Sequence, residues 1–376
     1  MNAQYFHTPG KFITGILTLA MVASLHARVE PPAPDPWREP RMIDLRSGEE
    51  RTVGVKRLRW TADANHDGNL DAAECEVRAP GESAWKGMDP QSFDHLVKWS
   101  ILMEMDPAPS YVYATEGGRS LRVFVDVPPA SSQASREEKR PAAVFFFGGS
   151  WSVGWQGEFL AYAEYLAKRG MVCFRVDYRV GFRDGNESNE LRATLDARAA
   201  LRWIISNASR FGVDPERLVT LGESAGGHLA IASALAEKLE PSRDDPSLTR
   251  HVKAIVSAFP VSETGDRRIS PWHLISPDMP PLFLTWGTND VFAEKLDKFV
   301  AHARGIGLAP TIHIEPEAKH GFILFGRYQS DSLARIDAFL TDARVLRAGE
   351  KITLGPDFTV RQSQILAAYR SRRSGF

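Results

Sequence analysis

The residues Gly222, Glu223, Ser224, Ala225, Gly226, Gly227 and His228 come after an apolar run, 217–221, and lead into an alanine-rich helical pattern that ends near 239. An apolar run, a glycine-flanked serine and a helix constrain the chain tightly: a strand must reverse into a helix within a few residues. Glycine on either side permits the sharp turn and a close helix approach, so the serine oxygen can project at the end of a sheet. Ser224 is therefore a candidate nucleophile. A plain strand-to-helix turn with a capping serine has the same local pattern. The choice between them depends on whether a base and an acid stand in the right places downstream.

A buried-strand pattern at 281–286 runs into Gly287, Thr288, Asn289 and Asp290, and an alternating run at 310–315 is followed by Lys319, His320, Gly321 and Phe322. Both place a functional side chain in the loop leaving a strand's carboxyl end. A serine hydroxyl is a weak nucleophile near neutral pH, so a histidine must take its proton during attack and return it to the leaving group. A carboxylate on the far ring nitrogen orients the imidazole and stabilises the imidazolium. Ser224, Asp290 and His320 fill those roles in chain order. Asp266 and Asp278 are rival acids, and His251, His273 and His313 rival bases, in weaker contexts. Upstream, the buried-strand run 142–147 enters Gly148, Gly149, Ser150 and Trp151. Backbone N–H groups in such a loop can receive an oxyanion, and those of Gly149, Ser150 and Ala225 are the candidates.

The segment 111–344 resembles the α/β-hydrolase superfamily, and within it the hormone-sensitive-lipase-like and acetyl-esterase or feruloyl-esterase-like serine carboxylesterases. The resemblance is carried by FFFGGSW at 145–151, VDYR at 176–179, GESAGGH at 222–228, GTND at 287–290 and KHGF at 319–322. It implies ester hydrolysis through a Ser-Asp-His triad in the order found here. The family's oxyanion loop usually reads HGGG or HGGGW, whereas here Phe147 replaces the histidine and Ser150 the last glycine, which puts the loop's shape in question. Asp177 and Arg179 are expected to brace the site from beneath. The secretion signal and this loop together suggest carbohydrate esterases such as acetyl-xylan deacetylases.

The hydropathy pattern supports the same α/β fold. Strand-like runs at 121–127, 142–147, 171–177, 217–221, 252–259, 281–286 and 310–315 alternate with helical patterns at 158–169, 190–210, 226–239, 291–306 and 328–346. Near-continuous apolar strands separated by amphipathic helices imply a mostly parallel sheet covered on both faces, with its functional loops beyond the carboxyl ends of the strands. The polar stretch 130–140 is a loop. Insertions between these elements are short, so a substantial lid is not expected, which favours short or soluble esters. Trp151 and Trp155, just past the oxyanion loop, are candidate substrate-binding faces, and Trp272 is a weaker one.

Before the hydrolase segment, Asp63, Asn65, Asp67, Gly68, Asn69, Leu70, Asp71 and Glu74 fit the twelve-residue EF-hand loop: oxygen side chains at positions 1, 3, 5 and 9, glycine at 6 and glutamate at 12. The expected ligand set for Ca2+ is Asp63, Asn65, Asp67, Asn69 through its carbonyl, Asp71 through water, and Glu74. No second loop is present in the sequence after it and the flanks contain Val53, Gly54, Val55, Pro80 and Gly81, so the expectation is a single structural calcium-stapled turn.

The chain of 376 residues, with 43% hydrophobic and 25% charged residues, has room for an α/β core and a further module. Its net charge of −1 offers no global attraction to nucleic acid or anionic membranes. The apolar run 12–23, preceded by Lys11 and followed by small residues near Ala27, has the form of a secretory signal peptide, too short to span a bilayer. An uncleaved anchor is the alternative, since Leu25 departs from the cleavage box. The organisation is then a signal peptide (1–27), a linker (28–45), an EF-hand-like module (46–108), an α/β-hydrolase domain (109–346) and a C-terminal extension (347–376). Cys75 and Cys173 are expected as free thiols. The expected protein is a secreted or periplasmic serine carboxylesterase acting on small-molecule or carbohydrate esters. The alternatives are a prolyl-oligopeptidase-like serine peptidase, for which the chain lacks room for a propeller, and a non-catalytic scaffold on the same fold.

Overall fold

The computed structural model describes residues 50–53, 56–61, 72–79, 81–89, 106, 108–129, 139–181, 189–239, 248–349 and 352. The signal-peptide and linker segments, Asp63 to Asp71 of the calcium loop, 130–138 of the polar loop and nearly all of the C-terminal extension beyond 349 lie outside these residues.

Strands β1 (Glu50–Val53), β2 (Lys56–Trp60), β3 (Cys75–Arg78) and β4 (Lys86–Gly87) form an antiparallel sheet in that order. Trp60 pairs with Cys75, so residues 61–74 link the two strands of a hairpin. The calcium-type loop is therefore flanked by strands, with a 3-10 turn at Ala72–Glu74, and not by the helix pair of an EF-hand. Its position-12 residue, Glu74, is buried, and its carbonyl accepts from the Thr61 N–H at 2.9 Å.

The second sheet has eight strands: β5 (Ser110–Glu116), β6 (Arg119–Asp126), β7 (Arg140–Phe146), β8 (Val172–Val176), β9 (Val213–Glu223), β10 (Val252–Ala258), β11 (Leu282–Gly287) and β12 (Thr311–Glu315). Their order is β12-β11-β10-β9-β7-β8-β6-β5. The six from β12 to β8 are parallel, and β6 and β5 are antiparallel additions. After β7 the chain steps to β8 on one side and returns to β9 on the other. This reversal opens a crevice at the carboxyl ends of β7 and β9, where open α/β sheets place their ligands.

Residues Ala142 to Phe147 are at most 1% exposed, as a central strand covered on both faces requires. The helices are α1 (Leu160–Lys168), α2 (Glu190–Ser206), α3 (Ala225–Leu235), α4 (Leu248–His251), α5 (Pro271–Leu274), α6 (Ala293–Gly305) and α7 (Gly326–Asp342). Asn189 caps α2 by accepting from the Arg192 N–H at 2.7 Å. In α3 every residue but the last is buried, so its alanines and glycines admit close packing all round. The strand β5 is absent from the hydropathy reading, although Gly117 and Gly118 mark the hairpin that joins it to β6. Beneath the crevice, Arg175 is fully buried between Asp106, at 2.6 and 2.9 Å, and Asp126, at 2.7 Å. Cys75 and Cys173 are free and buried. Among the described residues no helix is long and apolar enough to cross a membrane.

Candidate active site

Strand β9 ends at Glu223, and Ser224 turns the chain with φ 53° and ψ −118°. A non-glycine residue holds such angles at a cost of about 1–3 kcal/mol and needs its surroundings to enforce them. They do: the Ser224 N–H donates to the Ala258 carbonyl at 2.9 Å, and its carbonyl accepts from His228 at 3.0 Å and Val261 at 3.2 Å. Gly226 allows α3 to start directly on β7, since a Cβ there would lie 1.9 Å from the Phe146 carbonyl oxygen. The strained serine is thus clamped between β7, β10 and its own helix.

Asp290 and His320 come from the loops after β11 and β12. Those loops are tied together, because Thr288 and Asn289 donate to the carbonyls of Glu315 and Ala318 at 3.0 Å. His320 Nε2 lies 2.9 Å from Ser224 Oγ, and His320 Nδ1 lies 2.9 Å from Asp290 Oδ2. A carboxylate at Nδ1 holds the proton there and leaves the Nε2 lone pair for the serine hydroxyl. The other Asp290 oxygen accepts from the Phe292 N–H at 2.8 Å, and the carboxylate is buried. Phe259 and Phe292 flank the imidazole at 4.6 and 5.2 Å between ring centres.

Three of the rivals are engaged elsewhere. His313 pairs with Glu315 at 2.9 Å, the His251 ring meets the Pro215 carbonyl at 2.8 Å, and Asp266 pairs with Arg268 at 2.6 Å. His273 and Asp278 are exposed.

On the other side of Ser224, the loop after β7 carries three consecutive positive φ values: Gly149 at 95°, Ser150 at 55° and Trp151 at 54°. Its shape is held by aromatic packing where the family has histidine. The Phe147 ring stacks on Tyr178 at 4.1 Å, and the Tyr178 hydroxyl donates to the Phe147 carbonyl at 2.7 Å. Ser152 and Val153 donate to the Gly149 carbonyl at 2.9 and 3.1 Å, closing the turn. Ala225 is the first residue of α3, and an N–H at that position has no partner within its own helix and sits at the positive end of the helix dipole. The bracing expected of VDYR takes the form of Asp177 paired with Arg119 at 2.5 Å and Arg179 with Asp196 at 2.6 Å.

Trp151 is half-buried, edge-on to His228 at 5.2 Å. Trp155 corrects the sequence expectation. It is 1% exposed, with its ring packed over Gly157, so it presents no face to a substrate. Trp272 stacks on His302 at 4.3 Å and lines a cavity of 320 Å³ together with Pro260, Val261, Ser262, Phe292 and Lys295. The cavity abuts the site through Phe292 and Val261. Burial pulls the His228 pKa down to about 4, and its Nε2–H donates to the Ile269 carbonyl at 3.0 Å. Sequence reasoning assigned no role to Tyr178, Phe259, Phe292 or Glu223, although Tyr178 lies within the VDYR run and Glu223 stands next to the nucleophile in its motif.

The BD-FAE family model matches residues 131–268. Esterase 2 of Thermogutta terrifontis, solved after phosphorylation by paraoxon, is 30% identical with a TM-score of 0.60, over 65% of this chain and 98% of that one. The esterase LipC of Mycobacterium tuberculosis is 28% identical over 245 residues, 55% of this chain and 60% of that protein. A probable isoprenylcysteine alpha-carbonyl methylesterase of Oryza sativa subsp. japonica is 28% identical over 153 residues, 41% of this chain and 33% of that protein. The chain thus spans between a third and three fifths of the length of these two curated relatives. A mostly parallel sheet with a serine at its elbow, together with near-complete coverage of a solved esterase at 30% identity, shows that the chain belongs to the α/β-hydrolase carboxylesterases.

Proposed function

We propose that the protein is a serine carboxylesterase in which Ser224 attacks the ester carbonyl, His320 takes the Ser224 proton, and Asp290 orients and stabilises the imidazolium. The observation that carries this reading is the His320 ring held 2.9 Å from both Ser224 Oγ and Asp290 Oδ2. The N–H groups of Gly149, Ser150 and Ala225 receive the oxyanion. Collapse of the tetrahedral intermediate returns the proton to the alcohol, which leaves. His320 then activates a water that clears the acyl group from Ser224. The proposed substrates are short acyl esters, acetyl above all, on small molecules or carbohydrates, with Trp151 at the mouth of the site. The run 12–23 supports export. A panel of p-nitrophenyl esters and acetylated xylan, assayed with wild type and Ser224→Ala, tests the reading. Turnover by wild type and none by the variant is expected, while equal turnover by both excludes Ser224 as nucleophile.

A second substrate reading has its own support: Val291, Phe292 and Phe325 are 81%, 38% and 46% exposed, and Phe292 borders His320. An apolar rim suits an ester with a hydrophobic flank, as the name of the methylesterase relative describes. Adding a methyl ester of a prenylated cysteine to the panel separates the two. We also propose that the loop from Asp63 to Glu74 holds Ca2+, on the strength of its ligand spacing and the buried Glu74 carboxylate. The ion would fix the β2–β3 hairpin and take no part in ester chemistry.

A further inference from the structure

Two carboxyl groups face each other behind the oxyanion loop. Glu223, 4% exposed, ends β9 next to Ser224, and Glu158, 8% exposed, sits in the 3-10 turn Gln156–Phe159 that leads into α1. The two carboxyl groups lie within reach of each other and of the Gly148 backbone. Glu158 accepts in addition from the Trp155 N–H at 3.3 Å. Contact with Gly148 is so close that a Cβ on that residue would fall 1.8 Å from Glu223 Oε1. Any side chain at Gly148 would push the Glu223 carboxyl aside, so the absence of a Cβ there lets the carboxyl pair sit against the loop backbone. The next two residues, Gly149 and Ser150, are the oxyanion donors.

Two carboxyl groups in contact without a cation cannot both be ionised cheaply, whereas an acid donating to a carboxylate satisfies both. Among the described residues neither forms an ion pair with Lys, Arg or His. From α1, Tyr162 faces Glu223, but its hydroxyl donates to the Ile323 carbonyl at 2.7 Å, and burial holds it above its ordinary pKa. Behind the loop the Tyr178 hydroxyl donates to the Phe147 carbonyl at 2.7 Å, and across Ser224 stands His320, 2.9 Å from Ser224 Oγ. Burial raises the Glu158 pKa to about 7, and burial together with the Glu158 charge pushes Glu223 well above the carboxylate range.

We propose that Glu223 and Glu158 share one proton as an acid–carboxylate pair that positions the oxyanion loop through Gly148, and that loss of this proton sets an alkaline limit on ester hydrolysis. The inference rests on the esterase reading above. When hydroxide takes the shared proton, water and two facing carboxylates result. The O–H···O bond is lost, the side chains separate, and they no longer sit together against the Gly148 backbone. Gly149 and Ser150 then lose their aim at the oxyanion. Both glutamates are positioning residues, and neither touches the substrate.

The test is the pH profile of kcat and of kcat/KM for p-nitrophenyl acetate in wild type, Glu223→Gln and Glu158→Gln, from about pH 5 to about pH 10, corrected for hydroxide hydrolysis. A glutamine amide donates to the remaining carboxylate as the protonated acid does, but it cannot lose that hydrogen. Wild type should rise on the acid side and then fall at least about tenfold at high pH, mainly in kcat. Each variant should stay within about threefold of wild type at neutral pH and remain level at high pH. Melting temperatures across the range confirm that each protein is folded. If one variant does not fold, the other carries the test. A wild-type profile that stays level to the alkaline end overturns the proposal, as does a glutamine variant that keeps the wild-type fall. Wild type that hydrolyses no ester at any pH overturns the esterase reading and the pair's role with it, an outcome distinct from a level profile.

Discussion

The two sides of Ser224 are built on different principles. On one side the proposed relay consists of side chains, His320 and Asp290, presented by loops after β12 and β11 and joined by two hydrogen bonds of 2.9 Å. On the other the proposed oxyanion receivers are backbone N–H donors, with buried groups behind them: the Phe147–Tyr178 stack and the Glu158–Glu223 pair. The relay can be lost one side chain at a time. The oxyanion side can be lost only by moving a loop, so its determinants lie behind the site.

That contrast predicts a graded set of effects. Ser224→Ala and His320→Ala should each lower kcat by about three or more powers of ten, and the double variant should be little worse, since the groups act as a unit. Asp290→Asn should cost about three powers of ten while leaving KM near wild type, because it disturbs the imidazole tautomer and not binding. On the loop side, Gly148→Ala drives a methyl into the Glu223 carboxyl, and a fall in kcat of about two powers of ten is expected, comparable to removal of one oxyanion donor. If Gly148→Ala proves harmless, the two sides do not differ as described. Tyr178→Phe removes the hydroxyl from the Phe147 carbonyl and should cost about 1 kcal/mol of stability and up to about tenfold in kcat. Thermal melts measure the first quantity and steady-state kinetics the second.

A pH-linked effect, on stability and not on rate, belongs to His228. Its folded pKa is depressed from 6.5 to about 4 by burial, so the unfolded chain binds the proton more tightly. Stability from the neutral ring is complete above about pH 6.5 and is lost as pH falls through about 4, amounting to about 3 kcal/mol. His228→Asn should therefore show a shallower acid decline of melting temperature than wild type. Parallel declines would contradict the assignment. Smallest is the calcium loop: a chelator should lower the melting temperature by a few degrees without changing ester turnover at the assay temperature.

The contrast also explains what could be read from sequence. Ser224, Asp290 and His320 each come after an apolar strand run, and strand ends in a parallel sheet converge on one edge, so their meeting was legible in residue order. Seven of the eight strands of the large sheet were legible for the same reason; β5, an edge strand with weak alternation, was not. The loop's support was hidden, because Tyr178 lies 31 residues from Phe147 and Glu158 is far along the chain from Glu223. Buried pairing of that kind leaves no periodicity. Trp155 misled because proximity in sequence to the loop says nothing about which way a ring turns, and Gly157 gives it a place in the core. The EF-hand-type spacing at 63–74 shows the converse: a complete ligand spacing set between two strands, where the motif's name leads one to expect helices.

The most direct test of the account is covalent. Paraoxon presents an electrophilic phosphorus to an activated serine; attack by Ser224 Oγ forms an O–P bond and expels p-nitrophenolate, while the serine proton passes to His320. Intact-mass and peptide mass spectrometry of protein treated with paraoxon should find one diethylphosphoryl group, on the peptide containing Ser224, in proportion to loss of ester turnover, and none in His320→Ala over the same time. A modified residue other than Ser224, or full inactivation with Ser224 unmodified, would contradict the central claim that this serine is the activated nucleophile.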